Sequence, residues 1–290
     1  MKNHPVIAGC AVIVIIFLLG FIAIAVLLGP GGGSAFLKDN NVAIVDVKGI
    51  ILESREIVRE LEDYGKDESV KAIVLRIDSP GGSVAPSQEI YETVKKLDAD
   101  KPVIASMGSV AASGGYYIAL GARKVLTNPG TITGSIGVII EISNVEGLME
   151  WANIRQEVIK SGPYKDIGSP FRPLSDNERD KLQKLTNDIF GQFVEAVVQS
   201  RGMSEQKVLE IANGMIYSGR EALDLGLVDN IGTLTDAVEM AAKEAGIEGE
   251  PGVIYPSSPT FWEKLLESKI NVINEVIPKG GIRAMYLLRI

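Results

Sequence analysis

The chain has 290 residues and a formal net charge of −8, with 37 Asp and Glu against 29 Lys and Arg. That balance argues against a nucleic-acid partner, and a single cysteine, Cys10, excludes an intramolecular disulfide or a cysteine-based metal site. The one histidine, His4, stands at the extreme N-terminus, so the usual general base is missing from everything downstream.

The first predicted element is Val6–Leu28, an uncharged run "VIAGCAVIVIIFLLGFIAIAVLL". As a helix of ~1.5 Å rise per residue it reaches roughly 34 Å, enough to cross a bilayer core of ~30 Å. It is too long for the apolar region of a cleaved signal peptide. The tetrapeptide ending at Cys10 resembles a lipidation box, but it lies near the start of the run, where such a box does not belong. A retained single-pass anchor is therefore expected. Lys2 ahead of it favours a cytoplasmic N-terminus, with the remainder of the chain on the outer side of the cell membrane. "GPGGGS" (residues 29–34) reads as a linker.

Strands and helices then alternate. "VAIVDV" (42–47) reads as a buried strand, 54–65 as a helix capped by Ser54, and "AIVLRI" (72–77) as a second buried strand. "DSPGGSVAPS" (78–87) leads into a helix ending near Leu97, and "PVIASM" (102–107) is a third strand. A turn then enters a helix over 113–122. "KVLTN" and "GVII" read as short strands flanking "PGTITGSIG", and "RQEVIK" (155–160) as another. A long amphipathic helix over 176–200 carries Leu182, Leu185, Ile189, Phe193 and Val197 on one face. Helices over 204–212, 219–225 and 233–245 complete the pattern. Such alternation implies an α/β fold with parallel strands and crossover helices. The expected divisions are a head and anchor (1–28), a linker (29–40), a main domain (41–248), and a tail (249–290) with one helix.

Two turns can carry chemistry. In "DSPGGS" two glycines between a strand and a helix can aim backbone N–H groups into a cleft, although such a pair is more often a plain turn. In "VAASGGYYIAL" (110–120) Ser113 enters a helix after a strand. That placement suits a nucleophile, and equally a serine N-cap. Both turns fall at the carboxyl ends of strands, where α/β sheets place their sites. A Ser-His-Asp triad is excluded in the main domain because His4 precedes the anchor. A lysine, a carboxylate or a metal remains as the base, and a lysine works if its neutral amine exists near neutral pH.

"LRIDSPGGSVAPS", "KPVIASMGSVAASGGYYIA" and "TITGSIGV", with "IKSGPYKDIGSPFRPLS" and "YSGREALDLGLVDNIG", resemble the signal peptide peptidase A family of membrane-anchored serine proteases in its short, single-repeat form. The resemblance runs from about Val42 to Ala245 in order. More distantly the pattern is similar to the Clp proteolytic subunit and the crotonases. It implies repeated ββα units with parallel sheets. It implies Ser113 as nucleophile and Lys165 of "SGPYKD" as general base, with Ser135 of "TGSIG" positioning the lysine. Gly81 and Gly114 are the implied N–H donors to an oxyanion. Lys160 is the rival lysine. No metal or cofactor is implied. The implied partners are peptides, above all cleaved signal peptides and other hydrophobic segments, and copies of the chain in a ring where the Ser and Lys of one site come from adjacent protomers. The rival readings are a crotonase-like acyl-CoA enzyme, disfavoured by the anchor because CoA is cytosolic, and an inactive membrane scaffold, disfavoured by the presence of both Ser113 and Lys165.

Overall fold

Three long strands carry the architecture: β1 (Asn41–Lys48), β2 (Val70–Ser79) and β4 (Val103–Ala112). The computed structural model of the chain describes residues 40–256 and 284–288, together with Leu18 and Gly20. β1 pairs parallel with β2, and β2 parallel with β4. The connections run through α1 (Arg55–Lys66) and α2 (Val84–Asp98). All three strands are apolar on both faces, as a sheet covered on both sides requires. Ala43, Val45, Val47, Ile73, Leu75 and Ile77 face one core, which α2 and the later helices cover. Val42, Ile44, Ala72 and Val74 face the other, under α8 (Leu234–Glu244) and its Ala237 and Ala241. Each fully buried Leu or Ile contributes about 1.5–3 kcal/mol, and a one-residue slip would exchange the two cores, so the register is firmly set.

β4 forks the sheet. Its first half (Ile104–Ser106) pairs with β5 (Lys124–Thr127), and its last three residues pair with β6 (Ile132–Gly134). Between the halves the register with β2 breaks: Ile77 faces Met107, but Ser79 faces Ala111. The Asp78 carboxylate fills this bulge, accepting from Val110 N–H at 3.0 Å. A Cβ at Gly108 would lie 2.9 Å from Asp78 Cγ. The bulge re-aims the end of β4 toward β6, and that end carries Ser113.

The short β3 (Gly81–Ser83) follows β2, and α3 (Gly114–Ala119) follows β4. Next come α4 (Glu146–Trp151), α5 (Asp176–Arg201), α6 (Glu205–Ile211), β7 (Ile216–Ser218), α7 (Gly219–Asp224) and β8 (Asn230–Ile231). β7 closes one edge antiparallel to β6, and β8 pairs with β5. Residues 249–290, expected as a tail, supply two strands. β9 (Gly252–Ile254) extends the main sheet beside β1, and β10 (Met285–Leu287) lies antiparallel on β3. The helix expected in this stretch lies outside the described residues.

Several expectations change. Residues 155–160 form no strand; they are exposed throughout, and an extended segment without a neighbour has nothing to pair with. "GVII" forms one bridge, Ile139 to Met285, and no strand. Ser54 stands at the N-cap position of α1 but sends its hydroxyl to the Glu89 carboxylate instead of capping. The apolar face of α5 is core only from Ile189 onward, while Leu185 is 46% exposed. The anchor at Val6–Leu28 lies outside the described residues except for Leu18 and Gly20, both helical. Among the described residues no helix is long and apolar enough to cross a membrane.

Candidate active site

Ser113 occupies the sharp step between β4 and α3. Its φ of 53° and ψ of −116° are strained for a residue with a Cβ, a cost of about 1–3 kcal/mol that the surroundings must hold. They hold it from both sides: Ser113 N–H donates to Gly134 O, and Tyr117 N–H donates to Ser113 O, each at 2.8 Å. Ser113 stands at the N-cap position of α3, yet its side chain makes no capping bond. The capping alternative is thereby removed. The next residue must be glycine, because a Cβ on Gly114 would lie 2.7 Å from Ser87 Oγ. α3 itself is wholly buried, anchored by Tyr116 Oη donating to Leu227 O at 2.8 Å.

Ser135 repeats the pattern one strand over. It follows Gly134 with a φ of 51°, and its N–H donates to Met215 O at 2.8 Å. Ala112 is in register with Gly134, so Ser113 and Ser135 leave neighbouring parallel strands side by side, at the ~4.8 Å spacing of a sheet. Ser135 is 8% exposed. It lines a cavity of about 590 Å³ with Val138, Ile139, Asn187, Phe190 and Leu287.

The "SPGG" turn faces Ser113 from β2. Gly81, with a φ of 100°, donates its N–H to Ser79 Oγ at 3.0 Å. Its carbonyl accepts from Ile51 N–H at 2.9 Å, and Ser83 N–H donates to Ile51 O at 2.7 Å. One edge of β3 is therefore taken by Ile51. Because the groups of a strand alternate in direction, the amide aimed at the opposite edge belongs to Gly82. The N–H of Gly81, the expected donor, is engaged by Ser79, and Gly82 presents the outward amide of this turn.

The opposite edge is not empty. β10 lies on it, with Met285 opposite Ser83, Tyr286 opposite Gly82 and Leu287 opposite Gly81. Leu288 N–H donates to Pro80 O at 2.8 Å. On its far side Met285 exchanges two bonds of 3.1 Å with Ile139. The chain's own segment is thus a strand inserted between two walls. The Tyr286 carbonyl lies over the glycines: a Cβ on Gly81 would be 2.1 Å from that oxygen, and one on Gly114 3.1 Å. The Tyr286 side chain is fully buried. Its ring stacks on Tyr117 at 5.1 Å and tilts against Phe193 at 4.8 Å, and its Oη donates to Ile189 O at 3.2 Å. Burial pushes the Tyr286 phenol well above its ordinary range, and the Tyr117 phenol up to about 12.

Lys165 makes no side-chain hydrogen bond to Ser113 or Ser135 among the described residues. It lies in an exposed turn, its N–H donating to Gly162 O at 3.2 Å, and its ammonium has no partner among the described residues. Lys160, the rival lysine, is paired with Asp166 at 2.5 Å. Sequence reading missed two features here. One is an ion cluster in which Arg172 joins Asp166 to Glu178, each six residues away. The other is the seat of β10. Only part of the first left a signal: "SDNE" (Ser175–Glu178) has the serine-to-glutamate spacing of a capping box, and the box is formed at the start of α5.

Comparison with known proteins identifies the family and the fold. The model of peptidase family S49 matches residues 95–248, and that of Clp protease matches residues 42–131. The chain is 46% identical over 208 residues to a Synechocystis protein that carries a protease name, covering 71% of this chain and 75% of that one. It is 35% identical over 238 residues to an Enterococcus faecium protein named for signal peptide peptidase SppA, covering 79% of this chain and 69% of the other. A mutant of the 1510-N membrane-bound stomatin-specific protease superposes with a TM-score of 0.52 at 19% identity, over 76% of this chain and 99% of that one, a likeness of fold alone. The chain belongs to peptidase family S49, the serine proteases of the SppA and protease 4 type.

Proposed function

We propose that the chain is an endopeptidase with a Ser113–Lys165 dyad that cuts extended hydrophobic peptides, remnant signal peptides among them, at a membrane surface. The observation that carries this reading is the seat of β10. An extended segment lies between β3 and Ile139 with a carbonyl over Gly81 and beside the N-terminus of α3, next to a strained serine that caps nothing. A substrate strand in that seat presents its scissile carbonyl to Ser113 Oγ. Main-chain pairing of this kind binds without regard to side chain, and selectivity falls to pockets such as that around Tyr286.

In the reaction Ser113 Oγ attacks the carbonyl carbon while the neutral Lys165 amine takes its proton. The N–H groups of Gly114 and Gly82 receive the oxyanion, a contribution of about 3–4 kcal/mol per donor. Lys165 then protonates the leaving amine and activates water to release the acyl group. Ser135, beside Ser113, holds the lysine amine. Only the unprotonated amine can accept that proton, so activity is expected to rise with pH.

The exposed position of Lys165 supports a shared site, in which the lysine of one protomer serves the serine of the next in a ring. The run at 6–28 is the proposed membrane anchor, with a cytoplasmic N-terminus and the protease domain outside. Labelling with a fluorophosphonate probe tests the enzyme class: Ser113 takes the label in the wild type and in no Ser113→Ala chain. Label on another serine contradicts the nucleophile. Protease added to intact spheroplasts should digest the domain, and full protection would reverse the topology.

A further inference from the structure

Lys165 stands in an exposed turn, yet the residue after it is tied down from two directions. Arg172 donates to Asp166 through Nε, 2.9 Å from Oδ2, and through Nη2, 2.9 Å from Oδ1. The same guanidinium donates to Glu178 through Nη1, 2.8 Å from Oε2, and through Nη2, 2.6 Å from Oε1. The remaining Nη1 hydrogen meets Pro173 O at 3.0 Å. All five donors of the fork are used, an arrangement that the point charge of a lysine cannot reproduce. Glu178 is 3% exposed, and it forms the capping box of α5 with Ser175. The core-packed half of α5 begins at Ile189. Lys160 adds a third hold, 2.5 Å from Asp166 Oδ1.

Two effects follow. The clamp fixes the turn that carries Lys165 to the start of a 26-residue helix. It also balances charge: two cations, Lys160 and Arg172, face two carboxylates, Asp166 and Glu178, and both Asp166 oxygens are engaged by Arg172 and Lys160. A free carboxylate there would favour the ammonium form.

We propose that Arg172 is a positioning residue for the general base, setting where Lys165 stands and withholding Asp166 from it. The proposal rests on the reading of Lys165 as base. The state of the carboxyls agrees with the geometry. Hydrogen bonds from Arg172 and then Lys160 hold Asp166 well below the usual carboxylate range, and Arg172 first of all holds Glu178 at about 2. Among the described residues, the titratable groups at this turn include Lys160, Tyr164, Asp166 and Arg172 of its own loop and Glu178 of α5.

The test uses the full-length protein and peptide hydrolysis across pH. Arg172→Lys keeps the charge but loses the fork; kcat should fall about 10- to 100-fold, with KM and the acid limb of the profile little changed. Arg172→Gln leaves Asp166 underbalanced and should move the acid limb to higher pH, on the order of half a unit. Asp166→Asn removes the negative charge and should move it the other way. A purely structural role gives no opposite shifts. Arg172→Lys and Asp166→Asn, each milder than Arg172→Gln, keep the test available if that variant does not fold. Lys165→Ala separates the two failures. If it is inactive while the clamp variants keep kcat within twofold and shift nothing, the clamp proposal is overturned and the dyad stands. If Lys165→Ala is active, the base reading fails and the clamp proposal fails with it.

Discussion

Ser113 and Lys165 sit on opposite kinds of backbone. Ser113 is 1% exposed, at the end of a central strand, held in a strained conformation by hydrogen bonds from two sides. Lys165 lies in a solvent-facing turn closed by backbone hydrogen bonds and tied at one end by a few ionic contacts. The serine half is prepared by the fold itself, because the bulge at Asp78, the glycines and the buried α3 leave it no other position. The lysine half is exposed, in a turn of the loop before α5. Under the proposed shared site, such a loop would complete the site of another copy.

The largest expected effects break the comparison at its ends. Ser113→Ala and Lys165→Ala should each lose at least ~10⁴-fold in kcat/KM, while far-UV circular dichroism stays that of the wild type. If Lys165→Ala keeps near-full activity at neutral pH, the base has been assigned to the wrong residue.

A smaller effect sharpens the prepared half. Gly114→Ala places a Cβ 2.7 Å from Ser87 Oγ and would displace the N–H proposed as an oxyanion donor. A loss of about 10²–10³-fold in kcat is expected. Adding Ser87→Ala removes the clashing hydroxyl and should recover part of it. No recovery in the double variant would place the damage in the backbone instead.

The seat of β10 gives the next effect. If the segment occupies the substrate cleft, ending the chain before residue 284 should lower KM for an added peptide by about tenfold or more, since a tethered strand competes at high effective concentration. Restoring the strand with Tyr286→Ala should give an intermediate KM. An unchanged KM in the truncated chain would mean that substrate binds elsewhere.

The smallest effect lies in the clamp. Asp166 and Glu178 have folded-state pKa values below their ordinary 3.8 and 4.5. Groups depressed in this way contribute stability that is present above the unfolded pKa and lost as pH falls through the folded one. The loop should therefore hold above about pH 4.5 and loosen between there and about pH 2. Limited proteolysis of residues 155–172 across that window measures it, and cleavage that does not change with pH would count against the clamp.

Much of this was legible in sequence wherever one strong signal acted alone. The strands at 42–47 and 72–77, apolar except for Asp46 and Arg76, read as buried and are central, and Ser113 stood out through its small neighbours, which a nucleophile and an N-cap share. "RQEVIK" misled because its alternation satisfies a strand, while pairing depends on a partner that this region lacks. Sequence does not show which amide of "SPGG" a nearby serine hydroxyl takes, and in the fold it is that of Gly81. Arg172 was unreadable because its partners converge only when the loop folds, and β10 because its role depends on where about thirty preceding residues deliver it.

The shared site is the central claim, and mixing inactive chains tests it most directly. Full-length Ser113→Ala and Lys165→Ala proteins are co-expressed with different tags, and their co-assembly is confirmed by tandem purification. Peptide hydrolysis is then measured. If serine and lysine come from adjacent copies, random mixing in a closed ring restores about one site in four. A co-assembled mixture as inactive as its parents would contradict the account, because every site would then hold both of its residues within one chain.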